Sequence, residues 1–263
     1  MNKKVKKYLR KYFLKYFLKY FLEFLVIVMG ISVSFWLNNM QENSNTAKKE
    51  VETLKAIKLN IIEIESYISN RRITLDDEND FMNYLSVHWG SLNLDSIVDV
   101  LQKGRHIKSF HNLFLDYREF HPPISEISSI INDGSIALIS NNEIKIELIS
   151  FMDNNYDYVN QNVKSEIELQ QSFREELLKS KSHEIAKILE TTSLELKERF
   201  QGKIDYKKKI LNELKAIVKL NSAKNYLNLK IRQRYWVMNF MNGFSRKLKK
   251  IKELVDAELL ILN

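Results

Sequence analysis

The pattern of apolar positions changes character once along the chain. Residues 24–37 carry no charge: Phe-Leu-Val-Ile-Val-Met-Gly-Ile-Ser-Val-Ser-Phe-Trp-Leu. Beyond them the apolar residues become periodic. Val51, Leu54, Ile57, Ile61, Ile64 and Ile68 recur at threes and fours between lysines and glutamates. That spacing predicts a helix with one buried stripe, close to coiled-coil register. Asn43, Ser44, Asn45 and Thr46 offer N-caps for it, or the helix continues the apolar run with a kink. Residues 75–88 predict a shorter helix, set off by an acidic loop at Asp76, Asp77 and Glu78, and residues 94–101 another that stops near Gly104. Residues 105–123 are irregular and aromatic, with Phe110, Phe114, Tyr117 and Phe120. Pro122 and Pro123 suit a helical first turn, and Asn132, Asp133 and Gly134 are a stop signal. Asn141 or Asn142 caps a long helix carrying Ile144, Leu148, Phe151, Met152, Tyr156 and Val159, which runs toward Lys179. A further helix is expected over residues 183–200. Asp205 then caps a last one through Leu211, Leu214, Ile217, Tyr226, Trp236, Phe240, Phe244, Leu248, Ile251 and Val255. The expected fold class is all-α: a single N-terminal transmembrane helix followed by a long-helix antiparallel bundle.

Composition sharpens this. The chain has only two prolines and six glycines, too few turn residues for a sheet-rich fold. It has no cysteine, which excludes disulfides, thiolate metal sites and a cysteine nucleophile. The net charge of +8 is local: Lys3, Lys4, Lys6, Lys7, Arg10, Lys11, Lys15 and Lys19 precede the first acid, Glu23. The rest of the chain is close to neutral. Charge placed this way points to the anionic inner leaflet of a bilayer as partner, not to nucleic acid.

The charge-free stretch rises only ~21 Å against a ~30 Å hydrocarbon core. The span therefore borrows from the preceding residues, which repeat Lys-Tyr-Phe-Leu three times over 11–22. Residues 1–20 are read as a basic cytoplasmic or interfacial segment, 21–42 as the transmembrane helix, and 43–263 as an extracytoplasmic helical domain. Lys11, Lys15 and Lys19 snorkel to headgroups, while Tyr16, Tyr20 and Trp36 belong to the membrane interfaces. Two arrangements fit residues 1–20: a helix lying on the inner leaflet, or a straight extension of the span. Ser32, Val33 and Ser34 fall inside the apolar run, so an uncleaved anchor is expected, not a removable signal. The basic flank sets the N-terminus in the cytoplasm and the protein in the cell inner membrane.

Glu23 falls inside the cytoplasmic side of the span, where a carboxylate is expensive; Lys19, one turn earlier, can pair with it. At 100° per residue Glu23, Gly30 and Ser34 lie within ~40° of one another, with Asn38 nearby. Gly30 and Ser34 form a small-xxx-small pair that lets helices approach closely. This seam marks Glu23, Gly30 and Ser34 as candidate helix–helix contacts, with a homo-oligomer as one implied partner.

Glu23, then Gly30 and Ile31, then Asn38, Asn39, Met40, Gln41 and Glu42 resemble a motif of bacterial single-pass membrane proteins catalogued as domain of unknown function 6090. That family resembles a basic N-terminus, a span led by Gly-Glu with a central Gly-Ile, and then Asn-Asn-Trp-Asn-Glu. Leu22, Met40 and Gln41 stand where Gly, Trp and Asn would be expected. A weaker echo runs through Asp133, Gly134, Ser135, Ile136, Ala137, Leu138 and Ile139. The resemblance implies the topology and the helical fold, and it implies no activity.

No spaced motif carries chemistry. His88, His106, His111, His121 and His183 form no metal-binding pattern, although His121 with Asp116 and Glu119 could complete a site. Asp76, Asp77, Glu78, Asn79 and Asp80 lack the alternation and glycine of a calcium loop. No glycine-rich phosphate loop or nucleophile elbow occurs. The aromatic stretch with Arg118 either meets a partner or closes the end of the bundle. No catalytic residue, cofactor or metal is therefore expected. The function class read from the chain is a membrane-anchored helical interaction or sensing protein with an unidentified protein partner. The alternative is a membrane-perturbing effector of a defence or stress system.

Overall fold

The computed structural model describes residues 3–93, 96, 113–114, 117–179 and 215–262, with the backbone alone for 3–16. The described residues are all-α and contain no strand.

The first helix, α1, runs unbroken from Lys3 to His88, 86 residues, or about 130 Å at 1.5 Å per residue. It is at once apolar segment, connector and bundle rod. The caps expected at residues 43–46 do not start a helix. Thr46 Oγ1 donates to the Glu42 carbonyl at 2.9 Å, back-bonding within the helix instead of ending it. No proline interrupts the run, so the polar residues are carried as an exposed helical stalk. The acidic loop expected at residues 76–78 is likewise a turn of α1. Glu78 points into the core at 3 % exposure, where a buried cation receives it.

After a 3₁₀ turn over Trp89–Ser91, the next described helix is α2 (Ser125–Asn132). It stops where expected: Gly134 has φ +83, a left-handed conformation that suits glycine. Asn141 caps α3 (Asn142–Ser150), its side chain accepting from the backbone N–H of Glu143 and Ile144. A π-helical turn over Phe151–Tyr156 leads into α4 (Asp157–Lys179), so the two helices form one rod. The last helix is α5 (Asn221–Leu262), 42 residues long.

Two expectations about that last helix are corrected. A turn at Lys219 and Leu220 separates it from the helical residues 215–218, where Ile217 and Leu220 fold in against an apolar cluster. Trp236 is not core: it is 42 % exposed, and its neighbour Val237 is fully buried. The expected helices over 94–101 and 183–200, and the Asp205 cap, lie outside the described residues.

Ion pairs set the directions. Lys58 meets Asp256 at 2.6 Å and Lys252 meets Glu65 at 2.7 Å, while Ser86 donates to Asn228 at 3.0 Å. Thus α5 runs antiparallel to α1. Lys250 meets Glu147 at 2.8 Å and Gln233 meets the Asn162 carbonyl at 2.9 Å, so α5 is antiparallel to α3–α4 as well. The segment after α1 returns to the stalk end, where Glu50 accepts from the Ser140 N–H and hydroxyl at 2.5 and 2.6 Å. Consequently α1 and α3–α4 run parallel, and α5 comes back between them.

The core is not continuous. Near the stalk, Leu54, Ile57, Ile61, Ile144, Leu148, Phe244 and Leu248 belong to one apolar cluster. At the far end, Phe81, Met82, Leu85, Phe173, Leu177 and Tyr226 belong to a second. Between them, all three rods contribute buried polar side chains.

Candidate functional site

That polar layer is the candidate site. Its centre is Arg234 on α5, 2 % exposed. Its Nε lies 3.1 and 3.0 Å from the two carboxylate oxygens of Glu166 on α4, and Oε1 also accepts from Nη2. Nη2 meets Glu78 of α1 at 2.8 Å, and Nη1 reaches the Leu75 carbonyl at 3.5 Å. One guanidinium thus joins all three rods, using the planar fork that suits arginine to carboxylates. Burial works against its charge, but Glu166 and Glu78 outweigh it and hold Arg234 above its ordinary range. Burial raises the Glu166 carboxyl, and Arg234 and Lys230 overcome this to leave it lowered.

Lys230 lies one turn before Arg234. Its Nζ donates to Gln170 at 2.7 Å and to the Leu113 carbonyl at 2.9 Å, and lies 3.8 Å from Glu166. Burial lowers it to about 8, with Glu166 partly restoring the charged form. Tyr226 donates to the same Leu113 carbonyl, and burial followed by Glu166 pushes its phenol well up, so it stays neutral.

Beside this layer is a cavity of about 760 Å³. Lys230, Arg234, Glu78 and Glu166 line it together with Tyr117, Arg118, Glu119 and His121, and Tyr67, Ile73, Val163 and Ile167 provide apolar wall. Phe120 anchors the 117–121 segment. It is 1 % exposed and packs on Tyr67, Tyr156 and Phe244 at centroid distances of 5.9, 6.1 and 5.6 Å. Arg71 of α1 binds the backbone of the same segment, donating to the carbonyls of Glu119 at 3.0 Å and Arg118 at 2.7 Å. Its guanidinium lies 5.9 Å over the Phe120 ring. The described part of the aromatic stretch packs into the bundle through Phe114 and Phe120, both buried. Tyr117 and Arg118 remain at the cavity.

The residues singled out from the sequence lie elsewhere. Lys19 and Glu23 are 3.9 Å apart, both exposed. A Cβ at Gly30 would meet nothing within 4 Å beyond its chain neighbours and the backbone of its own helix. Ser34 Oγ donates to the Gly30 carbonyl at 2.8 Å, so its hydrogen bond is made within its own helix. Ile27, Gly30, Ile31, Ser34, Phe35 and Asn38 line a shallow groove along this face. Tyr20 and Trp36 are exposed, at 62 % and 61 %. Lys11, Lys15 and Tyr16 lie on α1, and their side chains fall outside the described residues. α1 is the one described helix long and apolar enough to cross a membrane, and none of its apolar stretch is buried.

Among the described residues no three acidic or histidine side chains converge as metal ligands. His121 meets Glu119; Asp116, His106, His111 and His183 lie outside the described residues.

No motif marks the buried layer in the sequence, yet a signal for it exists. Lys230 and Arg234 fall between Leu227 and Val237 in the buried series of α5. Glu166 and Gln170 fall between Val163 and Phe173 in that of α4. The period holds while the residue type turns polar. Compared with protein families, curated proteins and solved structures, the chain matches none.

Proposed function

We propose that this is a single-pass membrane protein whose helical domain senses or binds a partner outside the cytoplasm and communicates through its anchor. The observation that carries the proposal is the continuity of α1. One helix is apolar and exposed over the span, polar over the stalk, and then supplies Arg71 and Glu78 to the cavity and its buried layer. A helix without a break carries a rotation or shift at one end to the other. The basic flank before Glu23 supports an N-terminus in the cytoplasm and the inner membrane as location. The likeness to domain of unknown function 6090 in Glu23, Gly30 and residues 38–42 supports the same topology. The reading assigns the chain no catalytic step.

Topology is the first test. A reporter active only outside the cytoplasm, fused after Asn263, is expected to be active, and the protein should resist alkaline extraction from membranes. Activity of a cytoplasm-only reporter at that position reverses the proposal.

The groove at Gly30 and Ser34 favours the second reading, an effector whose spans assemble and perturb the bilayer. Growth arrest on expression that Gly30→Leu relieves would select it.

A further inference from the structure

Among the described residues, the charges around the cavity do not cancel one for one. Arg234 takes up Glu78 and Glu166, and the Glu119 carboxylate contacts His121. Arg71 forms no ion pair among the described residues; its Nη atoms bind two backbone carbonyls. Those bonds use two of the five N–H donors of a guanidinium. Its Nε is buried with no hydrogen-bond partner. Burial is the largest influence on it and acts against its charge. Glu166 and Glu78 support the charge from a distance but do not offset burial, so part of the cost of this half-buried cation remains, and it falls when an anion arrives in contact.

We propose that the cavity receives a small organic monocarboxylate, its carboxylate at Arg71 and its apolar body along Tyr67, Ile73, Val163 and Ile167. The inference rests on the sensing reading of the domain and names its ligand class. A guanidinium matches a carboxylate in shape and charge. Among the described residues lining the cavity the formal charges come to one net positive, Arg71, Arg118, Lys230 and Arg234 against Glu78, Glu119 and Glu166, so one carboxylate balances them and a second negative charge does not. A neutral ligand leaves Arg71 uncompensated. The apolar wall selects a hydrocarbon or ring behind the carboxylate. The ligand comes from solution, since Arg71 stands about 50 Å up the helix from Asn38, at 1.5 Å per residue.

The test is calorimetric titration of the full chain in lipid nanodiscs with benzoate and hexanoate, against neutral benzamide and dianionic phthalate. Saturable binding of a monocarboxylate is expected, with benzamide and phthalate at least roughly tenfold weaker. A hydrogen-bonded charge is worth about 1.5–3 kcal/mol, so Arg71→Gln should weaken carboxylate binding by roughly ten- to a hundredfold and leave benzamide unchanged. Arg71 also holds residues 118 and 119, so Ile167→Trp provides a second variant. It fills the apolar part of the cavity and should abolish binding with the circular dichroism spectrum unchanged. No saturable monocarboxylate binding, or equal binding of benzamide, overturns the proposal. So does binding that survives Ile167→Trp. Titration of purified protein is indifferent to which side of a membrane the domain faces, so failure here and failure of the topology test are separate results.

Discussion

At the scale of single residues, Arg234 decides how the middle of the bundle is built. It answers two carboxylates and one carbonyl, and its removal leaves Glu78 buried without its cation and Glu166 with only Lys230 at 3.8 Å. Breaking a buried pair from one side costs about 3–5 kcal/mol, whereas replacing the whole set with apolar residues is often neutral. Arg234→Met should therefore lower the unfolding free energy by about that amount in chemical denaturation. Adding Glu78→Leu and Glu166→Leu should recover most of the loss. A triple variant no better than the single one would show that the layer is required for stability itself. Lys230 adds a pH signature. Its folded value is lowered to about 8 from 10.5. Between those values the unfolded chain holds more protons, so stability rises with pH across that window, and the burial cost is greatest below it. Thermal unfolding at about pH 8 and pH 10 should show wild type gaining relative to Lys230→Met. An unchanged difference between the two refutes it.

Elements show where local chemistry and packing agree. Asn141 caps α3 and Gly134 turns the chain before it, as their types lead one to expect. Asn141→Ala should cost about 1 kcal/mol by loss of the cap, readable as a lowered midpoint in urea. The apolar part of α1 offers a sharper comparison. Gly30 leaves open space on the helix face, and Ser34 already donates to its own helix. If spans pair along this face, Gly30→Leu blocks the approach and Ser34→Ala changes little. Cysteine crosslinking in native membranes should fall strongly for the first and stay near wild type for the second. Equal crosslinking in all three places the contact elsewhere. The same serine and threonine back-bonding explains why residues 43–46 carry the helix on: with Thr46 bonded to Glu42 and no proline nearby, no side chain ends it.

On the scale of the whole molecule, the first buried residue of α1 among the described side chains is Glu50, and α5 ends beside it, with Val51 and Leu262 packed against one cluster. The domain closes on itself above the stalk, and the apolar segment supplies no side chain to its core. A fragment of residues 46–263 is therefore expected to be soluble, strongly helical by circular dichroism and cooperative in thermal unfolding. A fragment that folds only in detergent contradicts this.

How much could be read from the chain follows from the range of the forces involved. Charge, apolar runs and periodicity are local, so the apolar segment, the all-α class and the stripes through Leu54, Ile57, Ile61 and Ile64 stand in the sequence itself. Caps and stops are local too, which is why Asn141 and Gly134 are legible. The partnership of Glu78, Glu166 and Arg234 joins residues far apart in sequence, and no spacing rule links them. Taken singly, each is a charge on a helix rich in charges. The parallel course of α1 and α3–α4 depends on the return of the chain to Glu50, again a long-range contact. The sequence by itself determined that this protein has one helix apolar enough to cross a membrane and a helical domain behind it. Only the tertiary structure decided that the acidic turn at Glu78 faces inward, that the core is split by a charged layer, and that a cavity opens beside Arg71. The reason is that burying a charge becomes tolerable only when its counter-ion arrives from another rod.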